Sequence, residues 1–286
     1  MIILRTIAEL RDAVADARAR RQPVSLVPTM GAFHEGHLSL MRRASAETGL
    51  TVVSLFVNPA QFNDPADLER YPRDENRDAE LARSAGVDVL FAPPVSQMYP
   101  PGFSSSVEVR GVSAPLEGVV RGTEHFRGVA TVVTKLFNMS RADIAFFGQK
   151  DAQQALLVRR MVLDLDMPIR VEVCPTVREK DGLAMSSRNV LLTPDDRRRA
   201  PALYLALAAV ERRVDEGEHD PATALAAGQA ILAEAGIEPE YFAAVSADTL
   251  APVRRITSET LVALAARLGR VRLIDNTIVA PGRRPA

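Results

Sequence analysis

The stretch VPTMGAFHEGHLSLMRRA, residues Val27 to Ala44, passes from an apolar run into a helical pattern through a turn. The apolar residues before the turn are typical of a buried strand, and the leucines after it recur at helical spacing. Gly31 and Gly36 allow the backbone of the turn to approach a ligand closely. Two of the chain's four histidines, His34 and His37, lie in this turn. The stretch therefore predicts a strand, a turn that can bind a ligand, and a helix.

The same alternation of strand and helix continues through the first two thirds of the chain. Further apolar runs begin at Thr51, Val87, Ala142 and Ile169, and we interpret them as buried strands of a parallel sheet. Helical patterns cover residues 36–48, 73–85, 128–139 and 151–163, and an earlier helix begins with a capping box of Thr6 and Glu9. This order predicts a Rossmann-like, doubly wound α/β domain over residues 1–177.

The pattern changes after Val177. A helix is predicted to begin with Thr193 as N-cap and Pro194 as its first residue, and a second helix covers residues 222–235. Strands are expected near residues 240–245, 260–266 and 270–279. These elements predict a smaller C-terminal α+β domain with an antiparallel sheet over residues 178–286, which ends in a loose tail, PGRRPA.

Composition excludes several classes of function. The 286 residues carry a formal net charge of -1, with 47% apolar and 25% charged residues, so the chain lacks the basic footprint of a nucleic-acid-binding protein. A single cysteine, Cys174, cannot form an intramolecular disulfide. No segment is apolar for long enough to predict a membrane span or a signal peptide, so we expect a cytoplasmic protein without membrane contact.

The chemistry of the first turn favours phosphate. Backbone amides at the start of a helix attract an anion, and imidazole N–H groups of His34 and His37 can stabilise charge on phosphate oxygens. Two alternatives stand beside this interpretation. The spacing HEGH differs from the H-E-x-x-H of zinc proteases, and no second Cys/His cluster completes a zinc site. The histidines could instead only cap the helix.

Other predicted strand-to-helix turns also carry polar residues. FVNPAQF offers the amides of Asn58 and Gln61 beside an apolar Phe62, a mixture that suits a small hydroxy acid, although a solvated loop amide is the simpler interpretation of Gln61 alone. In FFGQKDAQQ, Gly148 permits close approach and Lys150 supplies a charge for phosphate oxygens.

Three further features leave more than one interpretation open. GLAMSSRN carries two serine hydroxyls and an arginine, which suit a loop that closes over a triphosphate, or form an ordinary serine-rich linker. Asp78, in a run typical of the solvated face of a helix, could lie near magnesium through water. His125 and Arg127 could approach a substrate or pack a loop.

The motifs together resemble a known family. HEGH after a first strand resembles the H-x-G-H signature of the nucleotidylyltransferase superfamily. In this order and at these intervals, the strings PTMGAFHEGHLSL, FVNPAQF, YPR, FFGQKDAQQ, PTVREKDGLAMSSRN and RLIDN resemble the pantothenate synthetase (pantoate:β-alanine ligase) family. The resemblance covers nearly the whole chain.

The resemblance implies a ligase that joins pantoate and β-alanine through a pantoyl adenylate made from ATP. It implies ATP with magnesium as co-substrate, no tightly bound prosthetic group, a homodimer, and a C-terminal domain that closes over the active site. No side chain is assigned as a direct metal ligand. The implied catalytic residues are His34, His37 and Lys150, and Gln61 and Gln154 are implied to bind pantoate. The implied ATP-binding residues are Met30, Gly31, Ala32, Phe33, His34, Glu35, Gly36, His37, Gly148, Gln149, Lys150, Asp151, Val177, Met185, Ser186, Ser187 and Arg188.

Two positions depart from the family's usual pattern. The family usually has glutamate where this chain has Gln149, and leucine where it has Phe33, which we interpret as a bulkier wall of the site. Two other functions remain as alternatives. A plain nucleotidylyltransferase would share the first turn without needing Gln61 and Gln154, and a non-catalytic nucleotide sensor would tolerate the loss of both histidines.

Overall fold

A computed structural model describes residues 1–282, and the last four residues of the expected tail lie outside the described part of the chain. The chain forms two compact units. The N-terminal unit comprises Met1–Gln149 and Gln153–Pro175, and the C-terminal unit comprises Lys150–Ala152 and, of the described residues, 176–282. The short segment around Lys150 therefore belongs to the C-terminal unit although it lies between two segments of the first.

A six-stranded parallel sheet forms the centre of the N-terminal unit. Its strands are β1 (Ile2–Leu4), β2 (Val24–Thr29), β3 (Leu50–Leu55), β4 (Val89–Phe91), β5 (Ile144–Gly148) and β6 (Arg170–Cys174). Their order in the sheet is β1-β4-β3-β2-β5-β6, which confirms the doubly wound arrangement. Sequence analysis did not find β1, because three residues at an edge are too few to show a period.

Because β2 lies between β3 and β5, the chain winds outward from β2 in both directions. Ser25 pairs with Ile144 of β5 and Val24 with Leu50 of β3, all in parallel register. In open sheets of this kind, ligands bind outside the carboxyl ends of the strands at such a switch point. The turns after β2, β3 and β5 therefore share one edge of the sheet at that point.

Helices cover this sheet. They are α1 (Ile7–Ala19), α2 (Glu35–Glu47), α3 (Pro65–Arg70), α4 (Glu75–Ser84), α5 (Val95–Met98), α6 (Glu117–Ser140) and α7 (Ala152–Asp164). Val27, Val53 and Phe146 from three strands pack with Met41 of α2 and Ala82 of α4 in one buried cluster. The capping box of α1 is confirmed, with Thr6 Oγ1 accepting from the amide of Glu9 at 3.2 Å. Helix α6 is longer than the predicted 128–139 and breaks at Gly122, whose φ of 76° is outside the helical region.

The C-terminal unit contains the predicted antiparallel sheet. It has three strands, β7 (Pro239–Ser246), β8 (Thr260–Leu268) and β9 (Val271–Val279), in that order. Its helices are α8 (Pro194–Arg199), α9 (Ala202–Asp215) and α10 (Pro221–Glu234). The single helix predicted after Thr193 is divided into α8 and α9, and Pro201 stands at the division because proline cannot donate a helical hydrogen bond.

Candidate active site

The turn after β2 has an unusual backbone. Gly31 has φ +91° and Ala32 has φ +54°, so two successive residues lie in the left-handed region. A Cβ atom on Gly31 would also lie 2.7 Å from Leu55 Cδ1 and 2.9 Å from Asp78 Oδ2, closer than real Cβ contacts. Only glycine fits this position, for reasons of both φ and space. The turn delivers His34 to the start of α2.

His34 is the N-cap of α2, which confirms that it caps the helix. Its Nδ1 accepts the amide of Gly36 at 3.2 Å, and Nδ1 of His37 accepts the amide of His34 at 3.4 Å. A backbone amide can only donate, so each Nδ1 carries a lone pair, and a neutral ring then carries its proton on Nε2. Capping thus makes each histidine an Nε2–H donor, and the two interpretations of the pair are compatible.

The two imidazoles lie together. Their ring centroids are 4.2 Å apart, and the ring of Phe33 lies 5.5 Å from that of His37. Phe33 is only 1% exposed and packs in the core with Met41 and Val53. The phenyl ring therefore supports His37 from inside the protein.

Asp78 of α4 binds the backbone of the turn through its side chain. It is 1% exposed, and its two carboxylate oxygens accept the amides of Ala32 and Phe33, each at 2.8 Å. These two amides are consequently not available to a phosphate. The prediction that the run around Asp78 forms a solvated helix face is therefore wrong at this residue, because its carboxylate is buried and bound to the backbone. Sequence reasoning missed this role, since 46 residues separate Asp78 from Ala32.

Gln61 follows β3 in a single 3₁₀ turn, Pro59–Gln61, which Asn58 caps. The backbone of this turn is packed directly on α6, where a Cβ on Gly128 would collide with the carbonyl oxygen of Ala60. His125 of the same helix places Nδ1 2.8 Å from the carbonyl oxygen of Gln61. His125 therefore packs this loop, one of its two predicted roles. Gln61 itself is half-buried, with its backbone fixed.

The two glutamines of FFGQKDAQQ that follow Asp151 differ in their surroundings. Gln153 is buried, and its amide nitrogen donates to the carbonyl oxygens of Val112 and Pro115, each at 2.8 Å. Its amide oxygen accepts the backbone amide of Glu117 at 3.0 Å. Gln153 thus braces α7 against the start of α6, and Gln154 is the half-buried neighbour. Gln154 is therefore the more accessible of the two glutamines.

Lys150 is held by residues of its own unit. The side chain of Asn276 on β9 donates from Nδ2 to the carbonyl oxygen of Lys150 at 2.9 Å. The adjacent Asp275 is 2% exposed and accepts two hydrogen bonds from Arg178, at 2.6 and 3.1 Å. Burial raises the pKa of Asp275, and the hydrogen bond and charge of Arg178 oppose that shift. The closing motif RLIDN thus fixes the backbone at Lys150, a role that its sequence did not reveal.

The loop from Val177 to Arg188 is braced along its length. The amide of Met185 donates to the carbonyl of Val177 at 3.0 Å, and Asn189 donates from Nδ2 to Glu179 Oε1 at 2.7 Å. Ser186 Oγ accepts the amide of Arg188 at 3.2 Å, and the Arg188 side chain is exposed. Among the described residues, the buried hydroxyl of Thr176 has no hydrogen-bond partner.

Within residues 1–282 there is no cluster of three or more His, Cys, Asp or Glu side chains that could hold a metal ion. In the same part of the chain, no helix combines the length and the apolar character needed to cross a membrane.

The predicted site residues fall into two sets. The first set belongs to the N-terminal unit, where the turns after β2, β3 and β5 share the edge of the sheet at its switch point. It consists of residues 30–37, Gln61, Gly148, Gln149 and Gln154. The C-terminal unit contains the remaining ones, Lys150, Asp151, Val177, Met185, Ser186, Ser187 and Arg188. Asp78 and Asn58 are additional residues that the structure places beside the first set.

The parallel sheet, with the H-E-G-H turn at its switch point, defines a doubly wound α/β protein with a predicted ligand-binding edge. Within that class, the chain belongs to the pantoate-beta-alanine ligase family, whose profile matches residues 2–278. The chain is therefore an enzyme, a ligase.

Named relatives cover almost the whole chain. The pantothenate synthetase of Roseiflexus castenholzii is 52% identical over 280 residues, which are 98% of this chain and 99% of that protein. The pantothenate synthetase of Cereibacter sphaeroides is 53% identical over 275 residues, or 96% of this chain and 98% of that protein.

Solved structures agree with these relatives. The pantothenate synthetase of Thermus thermophilus superposes with a TM-score of 0.92 at 47% identity, covering 98% of this chain and 100% of that one. The pantoate-beta-alanine ligase of Francisella tularensis, solved in complex with beta-gamma ATP and beta-alanine, gives a TM-score of 0.79 at 34% identity over 97% of both chains.

Proposed function

We propose that the protein condenses (R)-pantoate with β-alanine to give pantothenate, AMP and pyrophosphate through a pantoyl adenylate. A carboxylate oxygen of pantoate attacks the α-phosphorus of ATP, and the bond from that phosphorus to the bridging oxygen breaks to release pyrophosphate. The amine of β-alanine then attacks the acyl carbon, loses a proton, and displaces AMP. Activation is needed because a free carboxylate resists attack by an amine.

The observation that carries this proposal is that Nδ1 of both histidines at the switch point accepts a backbone amide. These hydrogen bonds direct the proton of each neutral ring, His34 and His37, to Nε2. Donors that are fixed in advance stabilise negative charge that grows on phosphate oxygens during displacement, by about a hundredfold to a thousandfold in rate for each donor. We propose that His34 and His37 bind the α- and β-phosphates in this way.

The remaining roles follow the family resemblance. Lys150 and Arg188 hold the departing pyrophosphate, and Gln61 and Gln154 bind pantoate. The other residues predicted to bind ATP line the nucleotide site, with Val177 and Met185 beside the adenine and its ribose. Closure of the C-terminal domain, predicted to span residues 178–286, protects the adenylate from water. The expected cytoplasmic location also belongs to the proposal, as does a homodimer, which rests on the resemblance alone.

Magnesium enters the proposal only with ATP. The buried carboxylate nearest the first turn, Asp78, uses both oxygens on backbone amides, and the described residues form no acidic cluster that fits the ion. Magnesium commonly binds through phosphate oxygens and water, and in this proposal it enters the site with the triphosphate.

The decisive test is to mix the protein with ATP, pantoate and β-alanine and to measure AMP and pantothenate together. We expect both in equal amounts. Without β-alanine, labelled pyrophosphate should exchange into ATP in a reaction that depends on pantoate. Formation of ADP in place of AMP would show an acyl phosphate instead of an adenylate, and absence of both products would leave only a wider nucleotidylyltransferase or a nucleotide sensor.

The roles of the histidines can be separated from capping. In His34→Asn and His37→Asn, the side-chain oxygen can still accept the backbone amide that Nδ1 accepts now, but the Nε2–H donor is lost. We expect pyrophosphate exchange to fall by about a hundredfold or more in each variant, while the unfolding midpoint in urea stays near that of the wild type. His37→Ala should lose the same activity. Near-normal exchange in the asparagine variants would refute the assigned role.

A further inference from the structure

Resting on the proposed function, we infer that a hydrogen-bonded relay from Tyr99 through Asn58 decides which end of the Gln61 amide meets the substrate. In this relay, Gln61 offers its NH2 group, a pure donor. The acid-binding site would then select an acceptor oxygen, such as the hydroxyl or carboxylate oxygen of a hydroxy acid, and reject an ammonium group at the same position.

The orientation of the Asn58 amide is fixed by the backbone. Asn58 is 1% exposed; its Oδ1 accepts the amide of Ala60 at 3.3 Å, and its Nδ2 donates to the carbonyl oxygen of Gly128 at 3.2 Å. A backbone amide only donates and a backbone carbonyl only accepts. Exchanging the oxygen and nitrogen of Asn58 would therefore break both bonds.

This fixed amide in turn sets Gln61. Nδ2 of Asn58 donates to Oε1 of Gln61 at 2.8 Å. Since Nδ2 has no lone pair, the atom of Gln61 that faces it must be the oxygen, and the Nε2 end is left for a ligand. The backbone of Gln61 cannot shift to relieve this restriction, because the carbonyl of the preceding residue is packed against Gly128 and His125 lies 2.8 Å from the carbonyl of Gln61.

Tyr99 is the first residue of the relay and contacts the side-chain oxygen of Asn58. Its hydroxyl donates to Oδ1 of Asn58 at 2.7 Å, and its ring packs against Phe103 and Phe56 with centroid separations of 5.1 and 6.2 Å. Burial raises the pKa of Tyr99 to about 12, so the hydroxyl stays protonated and can donate throughout the physiological range. The phenol therefore stabilises the one amide orientation that the backbone also selects.

The relay has a chemical consequence for substrate choice. A hydroxyl or carboxylate oxygen can accept from Nε2, whereas an ammonium group has three donors and no lone pair. The same reaction requires an amine, β-alanine, which is itself a carboxylic acid. An acid site that presents a donor at Gln61 helps to keep amino acids from being adenylated in place of the hydroxy acid.

The first experiment tests Gln61. Gln61→Glu keeps the shape and can still accept from Asn58, but it presents a carboxylate oxygen to the substrate. We expect kcat/KM for pantoate in pyrophosphate exchange to fall by about a hundredfold or more, and the preference for pantoate over its 2-amino analogue to narrow. If the KM of Gln61→Glu for pantoate is close to that of the wild type, the inference is overturned. Such a result would mean that the Gln61 amide of the wild type already presents its oxygen to pantoate.

The second experiment tests Tyr99 as a positioning residue. Tyr99→Phe keeps the ring and removes the donor, so we expect the KM for pantoate to rise about threefold to tenfold while the KM for ATP is unchanged. In a Gln61→Ala background, the same change should have no further effect on the KM for pantoate. Tyr241→Phe on β7 removes the same atom elsewhere and is the control.

The outcomes are distinct. If Tyr99→Phe raises the KM for pantoate equally in the wild-type and Gln61→Ala backgrounds, Tyr99 acts only on the structure and not through Gln61. If it changes that KM in neither background, Tyr99 is not part of the relay. Unfolding midpoints of all variants separate these outcomes from loss of fold. If the wild-type protein forms no pantothenate at all, the proposed function fails; if the wild type is active and the variants behave like it, only this inference fails.

Discussion

The carboxylate beneath the histidine turn allows a sharp test of how the fold prepares the site. Asp78→Asn keeps the size and shape of the side chain, and its oxygen can still accept one of the two amides, from Ala32 or Phe33. The new NH2 group faces the other amide, so two donors oppose each other at a position that is 1% exposed. One charge-assisted hydrogen bond is lost and one buried N–H is left without an acceptor.

The size of the effect follows from these two changes. A hydrogen bond to a charged group contributes about 1.5–3 kcal/mol, and an unsatisfied buried donor costs about 1–3 kcal/mol. Removing a buried charge offsets part of this loss, because the carboxylate no longer has to be desolvated, so we expect a net loss of about 2–4 kcal/mol. If about 2–3 kcal/mol of this loss affects the conformation of the turn, the productive geometry becomes about 30-fold to 160-fold rarer.

Pyrophosphate exchange and urea denaturation measure the two parts separately. Asp74→Asn is the matched control, since Asp74 caps the same helix from its exposed end and asparagine is an equally good N-cap. We expect Asp78→Asn to lose exchange activity at temperatures where it remains folded, and Asp74→Asn to keep it. Activity of Asp78→Asn within about twofold of the wild type would refute the argument that these two hydrogen bonds hold the turn.

Two further predictions concern other parts of the chain. Asn276→Ala removes the side-chain donor to the carbonyl oxygen of Lys150. Loss of a neutral hydrogen bond of about 1 kcal/mol should raise the KM for ATP about fivefold and leave the KM for pantoate unchanged. Equal changes in the two KM values would contradict the role of Asn276 in positioning Lys150. Arg5 lowers the pKa of Glu75 from 4.5, so the pair stabilises the fold above that value and the stabilisation is lost as the pH falls through the lower pKa of the folded state. The stability difference between wild type and Glu75→Gln in urea should therefore shrink in acid, and a difference that is constant from neutral pH to well below 4.5 would argue against the pair.

Much of the fold could be predicted from the sequence because its signals are local. Alternation of buried strands with helical patterns indicated the doubly wound sheet, and the Thr6 capping box and the Pro194 start of α8 depend on residues within one turn. The limits of this reasoning are physical too. Three edge residues gave no period for β1, and the glycines before residue 128 concealed the first part of α6.

Some features of the candidate site could likewise be predicted from the sequence, and others depend on the tertiary structure. The sequence by itself determined the H-E-G-H turn at the end of a strand, the glutamines and lysine after neighbouring strands, and the family to which the chain belongs. Only the tertiary structure decided that Asp78 holds the turn and that Asn276 holds the backbone at Lys150, across 46 and 126 residues of sequence. A periodic pattern reports which face of an element is buried, but a buried donor or acceptor binds whichever group the packing of distant elements brings within reach.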